Sequence, residues 1–168
     1  LVAALERSLG TLDLVIVNQQ LLHGIHSPRL RERLADLIRG ASIPFICDSR
    51  AFSDSYAGAI RKLNDREALR LVGVQWESEG AVPRADVERA AETLYGRWKT
   101  PVFLTRGARG ILVRDARGVH EVPGLQILGR IDTVGAGDSA LAGIAASLPP
   151  AATRYPRRNW ETSPRESR

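Results

Sequence analysis

The 168-residue sequence predicts an α/β fold, three layers deep, built on a mainly parallel sheet. Three observations lead there. Its short strand-like runs are apolar at successive positions, as strands covered on both faces are. Those runs alternate with amphipathic stretches of helical period, the order that gives parallel pairing. A glycine-rich turn then opens a helix of small residues near the end of the chain.

The segment from Asp13 through Leu14, Val15, Ile16 and Val17 to Asn18 reads as the first buried strand, ending on a polar residue. A loop through Gly24 follows. Ser27 then Pro28 signal a helix start, because the serine can cap and proline suits the first turn. Leu30, Leu34, Leu37 and Ile38 recur at helical spacing, and Gly40 ends the run. Ile43 to Asp48 is a second buried strand, ending on an acid. Asp65 to Val72 and Pro83 to Trp98 read as helices, the latter with a stripe of Val87, Ala90, Ala91 and Leu94. Pro101 to Thr105 is another strand, and Ile111–Val113 and Val119–Val122 flank an Asp115–Gly118 turn as a hairpin. Gly135 to Leu148 is the final helix.

Composition narrows the function classes. No apolar run reaches the ~20 residues of a spanning helix, so no membrane association is expected. One Cys supports neither a disulfide framework nor a cysteine zinc site. The formal net charge is +5, but five Arg against two Glu in residues 149–168 supply most of it. A basic nucleic-acid-binding face across the folded body is therefore not expected. That last segment also holds four of the nine Pro and no Gly, and is expected to be disordered. His23 and His26 have H-x-x-H spacing without a further ligand nearby. Cys47 reads as a small core residue, and Trp76 and Trp98 as packing anchors.

The strongest chemical signal is Asp132-Thr133-Val134-Gly135-Ala136-Gly137-Asp138-Ser139. Small residues at a helix start leave N–H groups open to an anion. Asp138 in that turn suits a base that takes a proton from an attacking hydroxyl, the pairing phosphoryl transfer needs. Two further motifs precede it: Asn64-Asp65-Arg66-Glu67, of the form N-x-x-E and preceded by Lys62, and Thr105-Arg106-Gly107-Ala108-Arg109-Gly110, of the form T-x-G-x-x-G after a strand.

In these three motifs and their order the chain resembles the PfkB (ribokinase-like) family of carbohydrate kinases, over about residues 11–148. Cys47-Asp48-Ser49-Arg50 and Tyr56-Ala57-Gly58-Ala59 resemble the branch that phosphorylates heptose phosphates, with Ser49 where that branch has proline. The resemblance implies a ribokinase-like fold and transfer of the γ-phosphate of ATP to a sugar or sugar phosphate. It implies Asp138 as general base and Gly135, Ala136 and Gly137 as the anion hole. Asn64 and Glu67 would organise Mg²⁺, through water, and the triphosphate. Thr105 and Gly107 would line the nucleotide site, and Asp132 would fix the turn, in a region that touches a monovalent cation in some relatives. The family lacks a P-loop lysine, and the sequence has no G-x-x-x-x-G-K-[ST]. A cytoplasmic location is expected.

Intact members of the family are about twice this length. Residues 1–148 are thus expected to be a partial kinase domain, its nucleotide-binding half, with the N-terminal half missing. Residues 149–168 are expected to be a tail that follows the helix-stopping Pro149 and Pro150. Relatives carry Phe where Ala140 stands. Two functions follow: a sugar kinase, active only if another chain supplies the missing half or the sequence is a fragment of a longer one, or a non-enzymatic truncated remnant with at most weak ATP·Mg binding.

Overall fold

The computed structural model describes residues 1–125 and 134–148. Its frame is a six-stranded sheet in the order β1-β2-β3-β4-β5-β6. The strands are β1 (Val15–Gln19), β2 (Phe45–Ser49), β3 (Ile60–Asn64), β4 (Val102–Thr105), β5 (Ile111–Asp115) and β6 (Gly118–Val122). β1 to β4 run parallel, and β5 and β6 close the sheet as the predicted hairpin, antiparallel to β4 and to each other. The helices are α1 (Val2–Ser8), α2 (Pro28–Gly40), α3 (Asp65–Leu71), α4 (Arg84–Trp98) and α5 (Ala136–Ser147).

Each helix forms where its sequence begins and ends it. Ser27 accepts a hydrogen bond from Leu30 N, with Pro28 in the first turn of α2. α4 stops at Lys99 in the left-handed conformation (φ 56°). Residues of each strand alternate between two faces of the sheet. On one face Leu34 and Ile38 of α2 pack on Val17, Phe45 and Cys47. Further along that face, α3 and α4 bury Leu69, Val87, Ala91 and Leu94 against Leu63, Val102, Leu104 and Leu112. The predicted stripe of α4 is this buried stripe, and Trp76 and Trp98 pack at its margin. On the other face α5 sets Leu141, Ile144 and Ala145 on Ile46 and Ile60.

Two parts of the fold differ from expectation. β3 was not anticipated, because Arg61 and Lys62 interrupt its apolar run. Both are nonetheless buried. The Arg61 guanidinium lies 4.9 Å from the Trp98 ring centroid and donates to Ser53 O. The helical turn of α1 was also unforeseen; Leu5 packs from it onto the α2 cluster. Cover is uneven as well: Ile16, on the α5 face of edge strand β1, is 41% exposed.

Candidate functional site

In open α/β sheets, ligands bind beyond the carboxyl ends of the parallel strands. Here those ends carry a row of polar residues. Asn18, Asp48 and Lys62 are register partners across β1, β2 and β3, and Asn64 and Thr105 are partners across β3 and β4. Asp48 and Lys62 lie two residues beyond Ile46 and Ile60, so they share the face that carries α5. The row therefore runs toward the first turn of that helix.

α5 begins after Gly135, whose φ of +79° is left-handed. That conformation is costly for a residue with a side chain. Gly135, Ala136, Gly137 and Asp138 are all exposed, so the open N–H groups expected of them face solvent. Asn18 Nδ2 donates to Asp138 Oδ1 at 3.3 Å, joining residues 120 positions apart. Gln20 Nε2 in turn donates to Asn18 Oδ1 at 2.5 Å, which fixes the direction of the Asn18 amide. Lys62 Nζ donates to Asp48 Oδ2 at 2.8 Å within a buried ion pair.

The N-x-x-E motif forms a capping box at the start of α3. Asn64 Oδ1 accepts from Glu67 N at 2.8 Å, and Glu67 Oε2 accepts from Asn64 N at 2.9 Å. This reciprocal pairing satisfies two open N–H groups and holds both side chains at the strand end. They line a cleft of about 620 Å³ with Arg66, Arg70 and Trp76. Among the described residues, no group of three or more His, Cys, Asp or Glu can hold a metal by itself. One carboxylate and one carboxamide still suit Mg²⁺ that arrives on phosphates and keeps its waters.

Thr105 donates through Oγ1 to Leu63 O at 3.2 Å. The turn after it is packed backbone to backbone against the exit of β6. A Cβ on Gly110 would stand 2.0 Å from Val122 O, and one on Gly124 2.2 Å from Ala108 O. The second glycine of T-x-G-x-x-G thus holds the turn in place, while Gly107 (φ +59°) is exposed.

The structure therefore brings Asp138 and the Gly135–Gly137 turn to the ends of β1–β3, and sets Asn64, Glu67, Thr105 and Gly107 at the ends of β3 and β4. Asp132 lies outside the described residues, as do residues 149–168. The sequence reading left Asn18, Asp48 and Lys62 out of the site. The signals for them were apolar runs that end on Asn18 and Asp48, the Cys47–Arg50 step, and the Lys62 that precedes the N-x-x-E motif. Cys47 is fully buried in the core under α2, as expected of a small core residue. His26 Nδ1 pairs with Tyr56 Oη at 2.6 Å. The Cys47 thiol is pushed up to about 12 by burial.

The sequence model of the pfkB family carbohydrate kinases matches residues 44–153. The chain belongs to that family. It is 29% identical over 152 residues to the bifunctional protein HldE of Azorhizobium caulinodans, covering 88% of the chain and 30% of that protein. The fold matches phosphofructokinase-2 of Escherichia coli in complex with substrates and products, with a TM-score of 0.66 at 23% identity. That match covers 86% of the chain and 48% of the solved one. Ribokinase of Giardia lamblia matches with a TM-score of 0.64 at 23% identity, over 82% and 43% of the two chains. The pfkB-family chain thus spans about half the length of these solved structures.

Proposed function

We propose that the chain is the nucleotide-handling half of an ATP-dependent carbohydrate kinase that phosphorylates a sugar or sugar-phosphate hydroxyl. The observation that carries this reading is the Asp138 carboxylate, tethered by Asn18 on the first turn of α5 above the strand ends. A base beside open helix N–H groups meets the two needs of phosphoryl transfer, orienting the nucleophile and stabilising the transferred group.

In this reading Asp138 takes the proton of the acceptor hydroxyl as its oxygen bonds to the γ-phosphorus. The bond to the β-phosphate oxygen breaks, ADP leaves, and Asp138 returns the proton to solvent. The N–H groups of Gly135, Ala136 and Gly137 receive the charge of the transferred group. Asn64 and Glu67 hold the triphosphate and the waters of Mg²⁺, which supplies charge neutralisation when bound. Thr105 and Gly107 border the nucleotide, and Asp132 steadies the turn. Potassium occurs in a solved complex of phosphofructokinase-2, and a monovalent cation near this turn is part of the proposal. The resemblance of Cys47–Arg50 and Tyr56–Ala59 to the heptose-phosphate branch supports a heptose-phosphate acceptor. The reading places the protein in the cytoplasm, with neither nucleic acid nor membrane as partner; no helix among the described residues is long and apolar enough to cross a bilayer.

The remaining half of the domain is proposed to be supplied beside β1. That strand carries the apolar run Val15-Ile16-Val17, as interior parallel strands do, yet lies at the sheet edge. A coupled assay of ADP release with sugar phosphates tests the whole reading. We expect no turnover by the chain alone, and turnover with a complementing half that Asp138→Asn abolishes. Turnover that survives Asp138→Asn would remove Asp138 as base. Mg·ATP binding too weak to detect at millimolar ligand would leave the non-enzymatic reading.

A further inference from the structure

The forms N-x-x-E and T-x-G-x-x-G leave positions open, and the fold uses two of these to tie the motifs together. Asp65 stands in the first turn of α3, its side chain 12% exposed. Its Oδ1 accepts from Arg66 N at 2.9 Å. Its Oδ2 accepts from Arg109 Nη2 at 3.1 Å, across 44 positions of sequence. The other arm of Arg109, Nη1, donates to Val82 O at 2.7 Å, and Val82 is closed to water. Arg109 thus reaches from the turn after β4 to the start of α3 and to the loop that leads into α4. A planar guanidinium held at two nitrogens is a stiff strut, which a flexible ammonium is not.

As a source of stability the pair is minor. The Arg109 side chain is 36% exposed, and ion pairs open to solvent contribute little. Asp65 also has a backbone donor and a helix start, which favour its carboxylate without Arg109. The bond from Thr105 to Leu63 O joins the strands; the ion pair joins the turns that follow them.

We propose that Arg109 and Asp65 are positioning residues that couple the nucleoside and phosphate parts of the site. This rests on the kinase reading above. A nucleoside seated on the T-x-G-x-x-G turn fixes Arg109, and Arg109 fixes Asp65. The Asn64–Glu67 cap on either side of Asp65 is then ordered before phosphate arrives. The second ligand loses less conformational entropy than the first, so the two bind cooperatively. Neither Arg109 nor Asp65 touches a ligand in this scheme.

The test uses the full ¹⁵N-labelled chain, with adenosine and inorganic pyrophosphate in Mg²⁺ as separate probes. Saturating adenosine should tighten pyrophosphate binding by roughly two- to fivefold, the range open to a partly exposed ion pair. Pyrophosphate should tighten adenosine binding by the same factor, because such coupling is reciprocal. Adenosine alone should also slow hydrogen exchange of the Glu67 N–H, which the Asn64 side chain holds. Arg109→Met should abolish both the coupling and the slowed exchange. Asp65→Asn, which keeps an oxygen for Arg66 N, should do so from the other end, and it carries the test if Arg109→Met unfolds. The double variant should lose nothing more, since the two residues form one link. Coupling that persists in the variants overturns the proposal. A fall in both affinities with the coupling intact makes the pair merely structural and also overturns it. Wild-type binding of both probes without coupling overturns it and leaves the kinase reading standing. Failure of the wild-type chain to bind one probe or both removes the kinase reading and this proposal with it.

Discussion

The two faces of the sheet are made by alternate residues of the same strands, yet they do different work. Under α2, α3 and α4 the strands present Val17, Phe45, Cys47, Leu63, Val102 and Leu104, all closed to water. Under α5 they begin apolar, at Ile46 and Ile60, and turn polar toward their carboxyl ends, at Asn18, Asp48, Lys62 and Asn64. One face lowers the free energy of folding. The other gives up part of that gain to hold charged groups near solvent. A strand can serve both because its side-chain period is two, so neither set of residues restricts the other.

The largest effect expected from this contrast is on the dry face. Leu104→Ala should cost about 2–5 kcal/mol in a denaturant melt, since a closed core leaves a cavity behind. The amide shifts of Gly137 in the folded protein should not change. A smaller and more discriminating effect is expected at Asn64, which caps α3 and borders the proposed phosphate site. Asn64→Ala should cost roughly 1 kcal/mol as a lost cap. Asn64→Asp caps equally well and should keep that stability, while its added negative charge weakens Mg·ATP binding. Equal stability losses in the two variants would show that the cap does not depend on the side-chain oxygen.

The smallest expected effect concerns Cys47. Burial first of all, then the nearby Asp48 charge, raises its thiol to about 12, against Arg61, which lowers it. The unfolded thiol titrates near its ordinary 9.0. Its contribution to stability is therefore complete below pH 9 and declines as pH rises from there toward 12. At pH 8 alkylation by iodoacetamide should follow global unfolding, and Leu104→Ala should speed it. Fast labelling of the wild-type chain would show that the dry face opens locally.

Much of this architecture was legible because its signals are local. Ser27 with Pro28, the stripe of α4 and the Asp115–Gly118 turn each announce an element over a few residues. The three motifs are equally compact, and all lie at strand ends or helix starts. β3 escaped because hydrophobicity cannot show that Arg61 will stack on Trp98 or that Lys62 will meet Asp48. Asn18 escaped for a different reason. Its bond to Asp138 spans 120 residues, and only the parallel order of the strands makes those ends neighbours. Glu67 was foreseen as a cation and phosphate residue, and the fold adds a role that spacing also encodes, the capping box with Asn64.

The backbone contact between Gly110 and Gly124 ties two stretches of chain into one unit. Neither position has room for a methyl group, because each faces the main chain of the other's turn. The T-x-G-x-x-G turn and the strand exit therefore behave as a single mechanical part, like two halves of a clasp. A graft that transplants residues 105–110 into another scaffold without residues 122–124 would carry the motif and lose its shape.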